Sequence, residues 1–110
     1  VGQRVAALSY AAYATHDLAA ADAVVALPPA LDGLPFPGEP LGCAVNILRR
    51  ADVRAGDDVA IVGVGFLGAL LCRLAADAGA RVVAVTRRPF ALEVARQFGA
   101  HELVPMDDHW

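Results

Sequence analysis

Two rhythms of apolar residues alternate along residues 58 to 105. Short apolar runs at Val59–Val62 and at Arg81–Val85 are predicted as strands, each bounded by turn residues. Gly56-Asp57-Asp58 is the turn before the first. Between the runs, Phe66 to Ala78 has a helical period. Leu67, Leu70, Leu71 and Leu74 form one stripe, with Arg73 and Asp77 facing away. Pro89 to Phe98 repeats the pattern with Leu92, Ala95 and Phe98 inward. Gly79 and Gly99 stand where each helix would close in a left-handed conformation. Glu102 to Pro105 reads as a third, weaker strand. Strands alternating with helices predict a parallel sheet with right-handed crossovers. The unbroken apolar character of Val59–Val62 predicts a strand covered on both faces.

The first 31 residues follow a different rule. Val5, Tyr10, Tyr13, Val24, Val25 and Leu27 sit in short runs that read as β-rich, and Pro28 and Pro29 end the last of them. Gly33, Pro35, Pro37, Gly38 and Pro40 then crowd into residues 32–40, the one strong boundary in the chain. A helix is predicted from Pro40 to about Ala51. Pro40 suits a first helical position, since its missing N–H would be unpaired there anyway. Leu41, Ala44, Val45 and Leu48 share one face, and Arg49 and Arg50 lie at the end favoured by cations. Residues 1–38 and 39–110 are therefore expected to be separate units.

Composition narrows the classes. The 110 residues are 57% hydrophobic and 19% charged, too apolar for a disordered chain. A formal net charge of −3 offers no broad basic surface, so no nucleic-acid partner is expected. The longest uncharged run, residues 59–72, contains three glycines. It falls short of the roughly 20 residues of a membrane helix, so no membrane partner is expected either. The chain starts at Val1 and reads as a piece of a longer protein. Two cysteines without a Cys-x-x-Cys pair give no structural zinc signature or disulfide framework, which accords with a cytoplasmic location. Cys43 and Cys72 are both read as small buried hydrophobes. His16, His101 and His109 lack the matched spacing of metal ligands and are read as surface or hydrogen-bonded residues.

The chemistry lies in Gly63-Val64-Gly65-Phe66-Leu67-Gly68, which follows an apolar strand and opens a helix. That context turns a weak motif into a dinucleotide-binding one. Gly63 permits a tight turn, Gly65 lets the backbone approach a pyrophosphate, and Gly68 lets the helix pack closely on the strands. The helix N-terminus offers unpaired N–H groups and a positive dipole end. The fold class is accordingly α/β: the first βαβαβ half of a doubly wound parallel sheet, a partial Rossmann fold, behind a small β-rich segment. NAD-binding versions carry an acidic residue near the end of the second strand to hold the ribose 2′-OH. Here the strand ends in Thr86-Arg87-Arg88. Arg87 could pair with a 2′-phosphate that an aspartate would repel, so NADP is expected over NAD. The candidate cofactor-binding set is Gly63, Gly65, Phe66, Leu67, Gly68, Thr86, Arg87 and Arg88.

With these motifs, and with Gly38-Glu39-Pro40-Leu41-Gly42-Cys43-Ala44, the chain resembles the zinc-dependent medium-chain alcohol dehydrogenases, most of all the sorbitol and threonine dehydrogenase branch. Val1-Gly2-Gln3-Arg4-Val5, residues 22–28 and Gly99-Ala100 also match, although Gln3 stands where an aspartate is usual. The resemblance implies that residues 1–38 are the C-terminal part of a GroES-like catalytic domain. It implies an oxidoreductase moving hydride between an alcohol or carbonyl carbon and NADP (or NAD), working as a homo-oligomer. It points to Glu39 as a ligand of the catalytic zinc, with the other ligands lying upstream of Val1. From the residues alone, a glutamate just before Pro40 also suits the helix dipole without a metal. Three alternatives stay open: a zinc-free quinone-reductase-like enzyme, a non-catalytic nucleotide-binding module, and a methyltransferase. The last usually wants an acidic residue on the ribose, which Thr86-Arg87 does not supply. The substrate pocket is not legible. Supplying only the first three strands, the chain is expected to be inactive alone and to associate through the open edge of its first sheet strand.

Overall fold

A computed structural model describes residues 2–11 and 13–107, and His109 and Val1 lie outside that set. The chain divides between Gly38 and Glu39 into two units. In the first, strands β1 (Val5–Ala7) and β2 (Val24–Ala26) pair antiparallel, Val5 opposite Ala26 and Ala7 opposite Val24. The Arg4 guanidinium fastens the following segment, donating through Nη1 to the Leu31 carbonyl and through Nη2 to that of Leu34 at 2.8 Å. The β-rich expectation is too generous here. Tyr10 and Tyr13 belong to no strand and are fully exposed, and Tyr13 adopts a φ of +60°. Short 3-10 turns occupy Ala21–Ala23 and Pro29–Leu31.

The second unit holds helices α1 (Gly38–Ala51), α2 (Phe66–Asp77) and α3 (Pro89–Gln97), with strands β3 (Asp58–Val62), β4 (Arg81–Thr86) and β5 (Glu102–Pro105). The strands form one parallel sheet in the order β3-β4-β5. Each pairs with the strand before it, through a helical crossover. Both crossover helices end in the same way. Gly79 (φ +85°) donates to Ala76 O at 2.9 Å while Ala80 donates to Ala75 O at 3.1 Å. Gly99 (φ +93°) and Ala100 repeat this on Arg96 and Ala95. These paired bonds satisfy carbonyls that a helix end would otherwise strand, and they require a residue comfortable at positive φ.

The core lies on one face of the sheet. Ile61, Val82 and Ala84 pack there with Val64 and Ala69, with Cys72 and Ala75, and with Ala91 and Ala95 of α3. Burying the Val82 side chain completely contributes about 1.5–3 kcal/mol. The buried line of α2 is Gly68, Ala69, Cys72 and Ala75 rather than the leucine stripe. Leu70, Leu71 and Leu74 are half-buried and Leu67 is exposed. Periodicity finds the bulkiest face, but a helix seated closely on a sheet needs its smallest residues at the line of contact. The other face of β3 is open: Val62 is 65% exposed, so the strand is covered on one side, not both. In α1, Ala44 is buried and Leu41 and Leu48 are half-buried, whereas Val45 points outward at 44% exposure.

At the amino end of the sheet, Arg81 bridges its neighbours, reaching Asp58 at 3.1 Å and Glu102 at 2.6 Å. The two carboxylates raise the pKa of its guanidinium, chiefly through the Asp58 hydrogen bond. His101 accepts the Val82 N–H at Nδ1 (3.1 Å) and His16 sits 3.2 Å from the Thr15 hydroxyl, both hydrogen-bonded.

Candidate cofactor site

The carboxyl ends of β3 and β4 and the turns that follow them enclose a cleft of about 360 Å³. It is lined by Val62 and Gly63 from the first strand, Val85 through Arg88 from the second, and Met106 after the third. Open α/β sheets bind ligands outside the carboxyl ends of their strands. The glycine turn and the end of β4 meet because parallel pairing of Val62 with Val85 sets them side by side.

Each glycine has its own reason. Gly63 takes φ +91°, and its N–H donates to Val85 O at 2.8 Å, which fastens the turn to β4. A Cβ on Gly68 would stand 2.3 Å from the Gly63 carbonyl oxygen, so α2 could not sit where it does with any other residue there. Gly65 differs. Its φ of −94° is open to any residue, and a Cβ would meet nothing within 4 Å. It is the N-cap of α2 and provides no side-chain hydrogen bond, so the first N–H groups of the helix lack a side-chain acceptor. Phe66 is 62% exposed and Leu67 is exposed beside it.

Thr86 is buried, with its carbonyl accepting the Met106 N–H at 3.1 Å. Arg87 and Arg88 are exposed and are the charged residues of the lining. They do different things. Arg88 Nη2 donates to Val64 O at 3.3 Å, inside the glycine turn. Arg87 has neither a hydrogen bond nor an ion pair among the described residues. Met106 escaped the sequence reading. The signal was its place just past the third strand, whose carboxyl end falls at the same edge of the sheet.

Glu39 stands apart from this cleft in the first turn of α1 and is exposed. Cys43, one turn on, is exposed rather than buried, and its thiol donates to Glu39 Oε1 at 3.1 Å. That hydrogen bond, with some burial and the carboxylate's charge, raises the thiol pKa. Cys72 is buried as expected, and burial raises its pKa too. A catalytic zinc takes three protein ligands. Among the described residues no group of three or more His, Cys, Asp or Glu could hold a metal, so these residues do not by themselves compose a zinc site. No helix among the described residues is long and apolar enough to cross a membrane.

No family model matches the chain. It is 34% identical over 100 residues to the alcohol dehydrogenase notN of an Aspergillus species, covering 87% of this chain and 29% of that protein. Among solved structures it is similar to a zinc-binding dehydrogenase of Sinorhizobium meliloti bound to NADP, with 33% identity and a TM-score of 0.68 over 76% of this chain and 25% of that one. It is similar also to the quinone oxidoreductase of Thermus thermophilus, solved with NADPH, at 32% identity and a TM-score of 0.61 over 76% of this chain and 30% of that one. The chain thus spans less than a third of the length of these relatives.

Proposed function

As a relative of the zinc-type medium-chain alcohol dehydrogenases, the chain supplies, we propose, the adenosine-phosphate half of a nicotinamide cofactor site, with NADP preferred over NAD. The observation that carries this reading is Gly65. Neither its backbone angles nor its packing calls for glycine, and the missing Cβ leaves space in front of the helix N-terminus. A pyrophosphate approaching the backbone explains the choice. In this reading Gly63 shapes the turn and Gly68 seats the helix. The N–H groups at Phe66 and Leu67 meet the phosphates, with support from the helix dipole. Thr86 closes the ribose end without the carboxylate that would repel a 2′-phosphate. Arg87, which no acid in the cleft neutralises, pairs with that phosphate.

The cofactor, when bound, supplies the hydride chemistry, and the protein binds and orients it. The whole protein is proposed as an oxidoreductase of small alcohols or carbonyl compounds. Glu39 is proposed as one oxygen donor to its metal. The likeness to a quinone oxidoreductase keeps a zinc-free NADPH enzyme as the second reading. Calorimetric titration of the chain with 2′,5′-ADP and 5′-AMP tests the cofactor half-site. Tighter binding of 2′,5′-ADP is expected. Equal affinities would remove the NADP preference, and no binding of either by folded protein would remove the half-site.

A further inference from the structure

The two adjacent arginines of the cleft divide the work. We infer that Arg88 is a positioning residue, which holds the glycine turn in its ligand-ready shape, while Arg87 alone is left to read the ligand. The inference rests in part on the cofactor reading above and in part on geometry independent of it.

The turn is soft by composition. Val64 is flanked by Gly63 and Gly65, residues whose backbones cross barriers that a Cβ would raise. The Val64 side chain is buried in the core, and two hydrogen bonds from one short segment hold the turn's backbone. Gly63 N–H donates to Val85 O at 2.8 Å, and Arg88 Nη2 donates to Val64 O at 3.3 Å. The α2 ladder begins one residue later, with the Ala69 N–H on Gly65 O at 2.9 Å. The Val64 carbonyl therefore lies outside the helix's own hydrogen bonds, and the guanidinium takes it.

The peptide plane connects this contact to the site. In a trans peptide the C=O and the following N–H point in opposite directions. Holding the Val64 carbonyl towards Arg88 turns the Gly65 N–H the other way. Without the guanidinium the plane between Val64 and Gly65 loses its side-chain anchor and can tilt about the Gly65 hinge while the Val64 side chain stays seated in the core, and any ligand that uses this turn must first order it. Preorganisation of this kind strengthens binding of every ligand that meets the turn, whether or not it carries a 2′-phosphate. Arg88 is exposed and spends one nitrogen on this bond, whereas Arg87 has no such contact among the described residues.

The experiment compares the wild-type chain with Arg87→Ala and Arg88→Ala, using 5′-AMP and 2′,5′-ADP as probes and NMR-detected hydrogen exchange on the ligand-free protein. Arg88→Ala is expected to weaken both ligands by the same factor, about two- to tenfold for one hydrogen bond, and to leave their ratio intact. It is also expected to speed exchange of the Gly63 amide by a similar factor while the Ala84 amide in the core strand stays as it was. Arg87→Ala is expected to collapse the ratio and leave 5′-AMP unchanged. Loss confined to 2′,5′-ADP in Arg88→Ala, or an unchanged Gly63 exchange rate, would overturn the inference. If the wild type binds neither probe, the cofactor reading fails, and the exchange arm still decides the role of Arg88. Should Arg88→Ala not fold, Arg88→Gln takes its place with the same expectations.

Discussion

Gly68→Ala adds one methyl group and places it 2.3 Å from the Gly63 carbonyl oxygen and 3.2 Å from the Gly63 carbonyl carbon. Neither atom is the end of a flexible side chain, so relief must come from the backbone. Restoring ordinary contact asks α2 and the turn to part by about 1 Å or more. Forced expansion of a packed site costs about 1–3 kcal/mol. Alanine returns up to about 1 kcal/mol in helix propensity. Because the clash is with backbone, the cost lies in the upper part of that range, about 2–3 kcal/mol, and the net loss of about 1–2 kcal/mol lowers the melting temperature by about 5–15 °C for a domain of this size. Thermal unfolding followed by circular dichroism measures it. Gly65→Ala is the internal control, because its Cβ meets nothing within 4 Å. As the N-cap it should cost less stability than Gly68→Ala, and it should weaken 2′,5′-ADP and 5′-AMP at least about tenfold, since the loss is steric with a ligand rather than with the protein. The reasoning is refuted if Gly68→Ala melts at or above the wild-type temperature, or if Gly65→Ala is the less stable of the two.

Arg87→Ala should reduce the preference for 2′,5′-ADP over 5′-AMP by about 10- to 100-fold, the worth of charge-assisted hydrogen bonds, as read by calorimetry. Gly99→Ala forces alanine to φ +93° with its Cβ 2.9 Å from that of Ala76, and should cost about 1–2 kcal/mol in urea unfolding. Cys43 should react slowly with iodoacetamide near neutral pH, because Glu39 disfavours the thiolate; Glu39→Gln lowers the thiol pKa and speeds alkylation at pH 8, and an unchanged rate would count against the contact. Native Cys72 should stay unmodified throughout, as mass spectrometry after brief labelling would check.

Much of the second unit was legible because local rules agree there. Its strands and helices begin and end within one or two residues of where turns, prolines and glycines place them. Gly79 and Gly99 end their helices as residues suited to positive φ should. What escaped depends on distance rather than pattern. The leucines of α2 flank its contact line instead of forming it, since hydrophobic period says nothing about how closely a helix approaches a sheet. Cys43 was placed in a core that does not cover it, because a helix has an apolar side whether or not anything lies against that side. In the first unit, aromatic and branched residues such as Tyr10 and Tyr13 have strand propensity, but pairing needs a partner, and β1 pairs only over three residues. The glycine motif announced the candidate site, whereas the separate tasks of Arg87 and Arg88 required knowing which guanidinium reaches a carbonyl.

The sheet order β3-β4-β5 also bears on how the second unit assembles. Every strand pairs with the one made just before it, so no segment must wait for a distant partner and no loop must close over an intervening strand. Contacts between near neighbours in sequence are the ones that form fastest. On a ribosome, each strand–helix step can add to the previous one in order of synthesis. The glycine turn would be seated as soon as β4 emerges, since its anchors at Val85 and Arg88 arrive together.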